Sequence, residues 1–126
     1  MSAPLTDTRR ATIIHALKRC DDTAVSAALE FQQTRDAAHI QPVIHGLIRR
    51  EMPEENATDL ATAPSETRLI EDLGLDSLAL MEIVMSAEEV FDIKIENNEL
   101  KQIATLAGLS VFVQTKLSSA PSAETN

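Results

Sequence analysis

The run Asp72-Leu73-Gly74-Leu75-Asp76-Ser77-Leu78, continuing without Pro or Gly through Ala79 to Phe91, decides how the rest of the chain is read. Gly74 breaks the segment before it, and Asp76 and Ser77 are both residue types that favour the N-cap of a helix. The run therefore predicts a helix with a hydroxyl on its first turn. At 100° per residue, Leu80, Ile83, Val84, Ala87 and Phe91 share one stripe with the spacing of a core face. Leu78, Met81 and Met85 fall on the opposite side, flanked by Glu82, Glu88 and Glu89. An apolar strip with a charged rim facing solvent is a candidate partner surface, and methionine suits a surface that repacks against several partners.

Ser77 stands at the head of that strip. No His or Lys lies close in sequence to act as its base, and the hydrolase elbow, with Gly two residues to each side of the Ser, is absent. A serine that is modified fits better than one that attacks. A phosphodiester on it would lie at the positive end of the helix, where free N–H groups and the dipole favour an anion. The competing reading is that Ser77 only caps the helix.

Taken with Glu82, Val84, Met85, Glu88, Glu89, Phe91 and Ile95, the motif resembles the acyl carrier protein family in its stand-alone, type II form, without a gap from about Leu69 to Ile95. In that family the Ser of Asp-Ser-Leu carries 4′-phosphopantetheine, whose terminal thiol holds the acyl chain as a thioester. The resemblance implies that Ser77 is the attachment residue and that Asp76 helps a phosphopantetheinyl transferase and its metal ion to address it. It further implies that partner enzymes read this helix. The expected partners are acyl-transferring, ligase or synthase enzymes with basic docking patches, reading Leu78, Met81, Glu82, Met85, Glu88 and Glu89. The protein itself would catalyse nothing.

The implied fold is all-α. A four-helix carrier bundle with a long first loop spans residues 37–117, a helical N-terminal extension occupies 1–36, and a disordered tail follows from 118. Several positions depart from the common pattern: Ala79 replaces the acid after Asp-Ser-Leu, Val90 replaces a Glu before Phe91, and Glu96 stands where Pro is common. Asn97, Asn98 and Lys101 dilute the acidity of the following segment. The expectation is a reshaped recognition face serving a dedicated fatty-acid, lipid or polyketide pathway. Two alternatives stay open: a peptidyl or aminoacyl carrier of nonribosomal synthesis, and a carrier-like helical interaction module that is never modified.

Composition agrees with a small helical protein. The 126 residues include three Phe, no Trp or Tyr and three Gly, so one modest aliphatic core is expected. There is no 18-residue apolar run and no signal segment, which makes the cytoplasm the default, and a monomer is the expected state. The net charge of −9 is uneven: residues 51–100 hold fourteen carboxylates against Arg68 and Lys94, a local balance of −12. That field disfavours nucleic acid and anionic membrane and steers basic protein surfaces toward Ser77. Cys20 is single and matches no metal spacing, and His15, His39 and His45 lack the i, i+4 arrangement of a ligand pair.

Along the chain, Met1 to Thr6 is expected to fray. Ile13, Ala16, Leu17 and Cys20 make one helical stripe, Asp21-Asp22-Thr23 ends that helix and caps the next, and Ala24, Ala27, Ala28 and Phe31 line the second helix of a hairpin. Asp36 to Glu51 reads as a helix with Ile40, Val43, Ile44, Leu47 and Ile48 inward and Pro42 in its first turn. Gly46 is either a weak point or a place of close approach. The connection from Met52 to Arg68 needs apolar pegs, and Leu60, Leu69 and Ile70 are the candidates. After an extended link, Asn97 or Asn98 caps a brief helix to Ile103. Thr105 then caps the last one, to which Leu106, Leu109, Val111, Phe112, Val113 and Leu117 contribute.

Overall fold

Four of the five α-helices described start where a short oxygen-bearing side chain precedes the apolar pattern, the exception being the third, which follows a 3₁₀ turn. Thr6 Oγ1 accepts from Arg9 N at 3.0 Å, Asp21 Oδ1 from Ala24 N at 3.0 Å, Asp76 Oδ1 from Ala79 N at 2.8 Å and Thr105 Oγ1 from Gly108 N at 3.0 Å. These bonds satisfy N–H groups that a helix leaves without internal partners. In the computed structural model, which describes residues 6–56 and 58–119, the helices they open are α1 (Asp7–Ala16), α2 (Asp22–Thr34), α4 (Ser77–Phe91) and α5 (Leu106–Ser119). Of the stretch Met1 to Thr6 expected to fray, residues 1–5 lie outside the described residues and Thr6 instead caps α1. The expected disorder beyond 119 also lies outside them, whereas Ser118 and Ser119 extend α5 rather than beginning a tail.

The helix expected from Asp36 divides. Ala37–His39 form a 3₁₀ turn, and α3 runs from Ile40 to Glu51. Pro42 is the reason: it lacks an N–H and its ring collides with the carbonyl four residues back, so an α-helix containing it must begin within the preceding turn. A second 3₁₀ segment covers Asn97–Ile103. Its N-cap is Glu96 rather than Asn97 or Asn98, and the Glu96 N–H donates to Glu99 Oε1 at 2.9 Å.

Among the described residues all five α-helices contribute to one continuous core, from Ile13, Ala28 and Phe31 in the first two helices to Ile44, Ile83, Phe91, Leu109 and Val113 in the others. The α1–α2 hairpin lies against α3 and α4. Phe31 meets Phe91 edge to face with ring centroids 5.5 Å apart, a preferred aromatic geometry. The close approach of α2 to α3 explains Gly46: a Cβ there would lie 2.5 Å from the Cβ of Ala24.

The hairpin widens the buried face of α4. Ile83, Val84, Ala87 and Phe91 are buried as their spacing predicts, Leu80 is half-buried, and Ser86 and Val90 are buried as well. Val90 belongs to a stripe with Ala79, Ile83 and Ser86 that the hairpin covers. Arg9 Nη1 and Nη2 donate to the carbonyls of Glu89 and Val90 at 2.6 and 2.9 Å, and Gln32 Nε2 donates to Val90 O at 2.9 Å. These donors satisfy carbonyls that the end of a helix leaves open.

The connection between α3 and α4 is held by Leu60, Leu69, Leu73 and Leu75, all buried. Ile70, expected among the pegs, is 44% exposed, because the turn from Arg68 to Gly74 directs Leu69 and Leu73 inward instead. A bridge between Arg68 and Thr105 ties the loop to the start of α5, with Leu69 N donating to Ala104 O at 2.9 Å and Leu106 N to Thr67 O at 2.8 Å. Val111 is also outside the core, at 59% exposure.

Candidate functional site

The site begins at a turn. Asp72 Oδ2 accepts from Arg68 N at 2.8 Å, and this bond, with the nearby Arg68 guanidinium, holds the Asp72 carboxyl below its ordinary range. Gly74 then takes φ +81°, a conformation that favours glycine, and a Cβ there would come within 3.2 Å of Pro53. Asn56 Nδ2 donates to Leu73 O at 3.0 Å and ties the turn to the end of α3. The chain emerges extended at Asp76 and enters α4 at Ser77.

Asp76 is the N-cap, and Ser77 is the first helical residue. The capping role is therefore filled by the neighbour. Ser77 is exposed, and among the described residues its hydroxyl has no hydrogen-bond partner. Ala79 N is used by Asp76 Oδ1, while the Ser77 and Leu78 N–H groups have no protein acceptor among the described residues. The result is a free hydroxyl beside unsatisfied donors at the positive end of a fifteen-residue helix.

The strip behind Ser77 is exposed: Leu78 is 70%, Met81 37% and Met85 57% accessible. Glu82 and Glu89 lie beside it and are exposed. Glu88 is half-buried and has a structural engagement, since its Oε2 accepts from Ile95 N at 2.8 Å and holds the link after α4. Ala79 and Val90 lie elsewhere than the recognition face assigned to them by the family pattern: Val90 is buried, and half-buried Ala79 lines a groove shared with the hairpin.

Lys18 and Arg19 were not singled out for the site by sequence, and they line the same groove as Asp76 and Leu78. No local pattern joins segments so far apart in the chain. Burial raises the Cys20 thiol pKa, and its Sγ lies 3.6 Å from Gly46 O, so Cys20 behaves as a small packing group. Among the described residues no cluster of three or more His, Cys, Asp or Glu is placed to hold a metal, and no helix is long and apolar enough to cross a membrane.

Comparison with known proteins bears on the same segment. The pattern of the phosphopantetheine attachment site family matches residues 47–113. An acyl carrier protein of Exiguobacterium sp. is 34% identical over 70 residues, covering 56% of this chain and 89% of the relative. The anthracycline acyl carrier protein DauA of Streptomyces sp. is 38% identical over 74 residues, covering 59% of this chain and 86% of that protein. An acyl carrier protein of Thermotoga maritima is 31% identical over 74 residues, covering 59% of this chain and 91% of the relative. No solved structure gives a significant match.

Proposed function

This chain belongs to the phosphopantetheine-bearing acyl carrier family, and we propose that Ser77 is the residue that bears the group. The prosthetic group is a covalently attached 4′-phosphopantetheine. When bound it supplies a terminal thiol on which acyl intermediates are carried as thioesters.

One observation carries the assignment of Ser77. Its hydroxyl is exposed and released from capping by Asp76, and the free N–H groups of Ser77 and Leu78 stand ready for a phosphodiester. Among the described residues nothing hydrogen-bonds Ser77 Oγ to remove its proton, so deprotonation falls to the transferase. Asp76 uses Oδ1 in the cap, which leaves Oδ2 for the transferase and its metal ion. The carrier holds its cargo on a tether and catalyses no step, and each partner gains the effective concentration that tethering gives.

The partner face in this reading is Leu78, Met81 and Met85 with Glu82 and Glu89 at its rim, a surface that basic patches on synthase, ligase or acyl-transferring enzymes complement. Glu88 contributes charge while its Oε2 holds Ile95 N. The hairpin over Val90 and Ala79 narrows that face and favours a dedicated enzyme set in a lipid, fatty-acid or polyketide pathway, and the likeness to an anthracycline carrier supports the last of these. Residues 37–117 form the carrier proper, acting as a cytoplasmic monomer.

The test is intact mass after incubation with coenzyme A, magnesium and a broad-specificity phosphopantetheinyl transferase. A gain of one phosphopantetheinyl group, absent in Ser77→Ala, is expected. Folded protein that gains nothing overturns the assignment and favours a helical module that is never modified.

A further inference from the structure

Between the turn after α1, the end of α3 and the first turns of α4 lies an open groove of 540 Å³. Lys18 and Arg19 of the hairpin form one wall, and Asp76, Leu78 and Glu82 belong to another, with Pro53 between them in sequence. Asp76 and Leu78 flank Ser77, so a group attached to the serine oxygen starts beside this groove. Its volume lies within the roughly 300–1,000 Å³ of small-molecule sites.

The groove is mixed in charge, with Lys18 and Arg19 of the hairpin set against Glu51, Asp76 and Glu82, and it is the two cations that can meet an anion. Basic residues after a helix C-terminus suit the helix dipole whichever way they point; these two point into a groove next to another helix's N-terminus. Lys18 has no ion pair among the described residues. Among the described residues Arg19 pairs only with Glu51, at 3.9 Å and with its side chain 66% exposed, a weak pairing in water. Of the three carboxylates, Glu51 is paired with Arg50, its Oε2 accepting from Arg50 Nε at 2.9 Å, and Asp76 has one oxygen in the cap of α4.

We propose that this groove is a resting site for the arm carried on Ser77, in which Lys18 and Arg19 bind its phosphodiester and the pantetheine portion lies along Pro53 and Leu78. The inference rests on the attachment of the group at Ser77. A tethered ligand needs little intrinsic affinity, because a short flexible link gives an effective concentration on the order of millimolar. The hairpin thereby acquires a role: it competes with partner enzymes for the arm, so delivery of the thiol depends on a partner drawing the arm out of the groove.

The experiment compares amide spectra of the full-length apo and modified protein, with intact mass recorded on the same samples. On modification, the amides of Leu17 to Cys20 and of Glu51 and Met52 shift, and the phosphorus resonance of the diester differs from that of the same protein in denaturant. In the double variant Lys18→Ala/Arg19→Ala, whose substitutions are at exposed positions, those shifts are lost although the mass gain is unchanged. Fully modified protein with shifts confined to the neighbours of Ser77, or shifts that persist in the double variant, overturns the resting site and leaves the attachment reading standing. Failure of the mass gain overturns both.

Discussion

The guanidinium of Arg50, with its side chain 4% exposed, donates from Nη2 to Ser86 Oγ at 3.0 Å and from Nη1 to the carbonyl of Ala16 at 2.9 Å. One side chain of α3 thus joins the end of α1 to the middle of α4, and its Nε donates to Glu51 Oε2 at 2.9 Å. A buried cation is stable only where its donors are matched, and here the fork geometry of arginine meets acceptors from three helices.

Removing Arg50 is therefore expected to be costly. Arg50→Ala leaves the Ala16 carbonyl and Ser86 hydroxyl unpaired and destabilises the fold by about 3 kcal/mol. Arg50→Lys restores the charge and not the fork, so it recovers only part of the loss. Urea unfolding followed by circular dichroism measures both, and equal stability of all three proteins would show that the hairpin is not held by this residue.

Gly46→Ala reverses the usual sign. In an exposed helix interior this change stabilises by about 1 kcal/mol. Here the new Cβ meets that of Ala24 at 2.5 Å, and neither atom can rotate away. Net destabilisation is expected, since overpacking costs about 1–3 kcal/mol. The second change Ala24→Gly removes the overlap and recovers stability, and a double mutant no more stable than Gly46→Ala would contradict the contact.

Val90→Glu introduces the acid common at this position in the family onto a side chain with no exposure, beneath the hairpin. Burying an unpaired carboxylate is expected to cost about 4 kcal/mol or more and to leave the chain largely unfolded. Glu89→Gln, one residue earlier and exposed, leaves the melting temperature unchanged. Thermal melts of the two variants side by side decide whether the hairpin accounts for the valine.

His45 sets a pH dependence. Burial, followed by the charge of Arg49, lowers its pKa below the ordinary value. The unfolded chain then binds a proton more readily than the folded one. Its contribution is fully present above the unfolded pKa of about 6.5 and is lost as pH falls through the lower folded value. Melting temperature should decline on acidification from neutrality, and His45→Gln should flatten that decline. An identical slope in the variant would remove His45 from the account.

On the partner face, Glu82→Lys reverses a rim charge without touching the core. It is expected to slow association with the transferase and reduce its salt dependence, with no change in melting temperature. Met85→Ala should weaken the same encounter through lost apolar contact. Unaltered modification rates in both variants would place the docking surface elsewhere.

What the sequence determined by itself lies in local order. Caps at Asp21, Asp76 and Thr105, the break at Gly74 and the spacing of Ile83, Val84, Ala87 and Phe91 all act within a few residues, so the starts of α2, α4 and α5, their inward faces and the exposure of Leu78, Met81 and Met85 were legible there, whereas the cap at Thr6 and the start of α3 at Ile40 were not. The motif around Ser77 was legible for the same reason. Tertiary structure alone decided what depends on segments far apart in the chain. Arg50 reaches a carbonyl 34 residues away and a hydroxyl 36 residues away, and Arg9 reaches one 81 residues away. The hairpin turns Val90 from a recognition position into core, gives Gly46 its necessity through Ala24, and brings Lys18 and Arg19 beside Asp76. Periodicity tells which side of a helix is apolar; it does not tell how many neighbours will cover that helix, because each covering contact is set by a partner segment whose placement only the packed core defines.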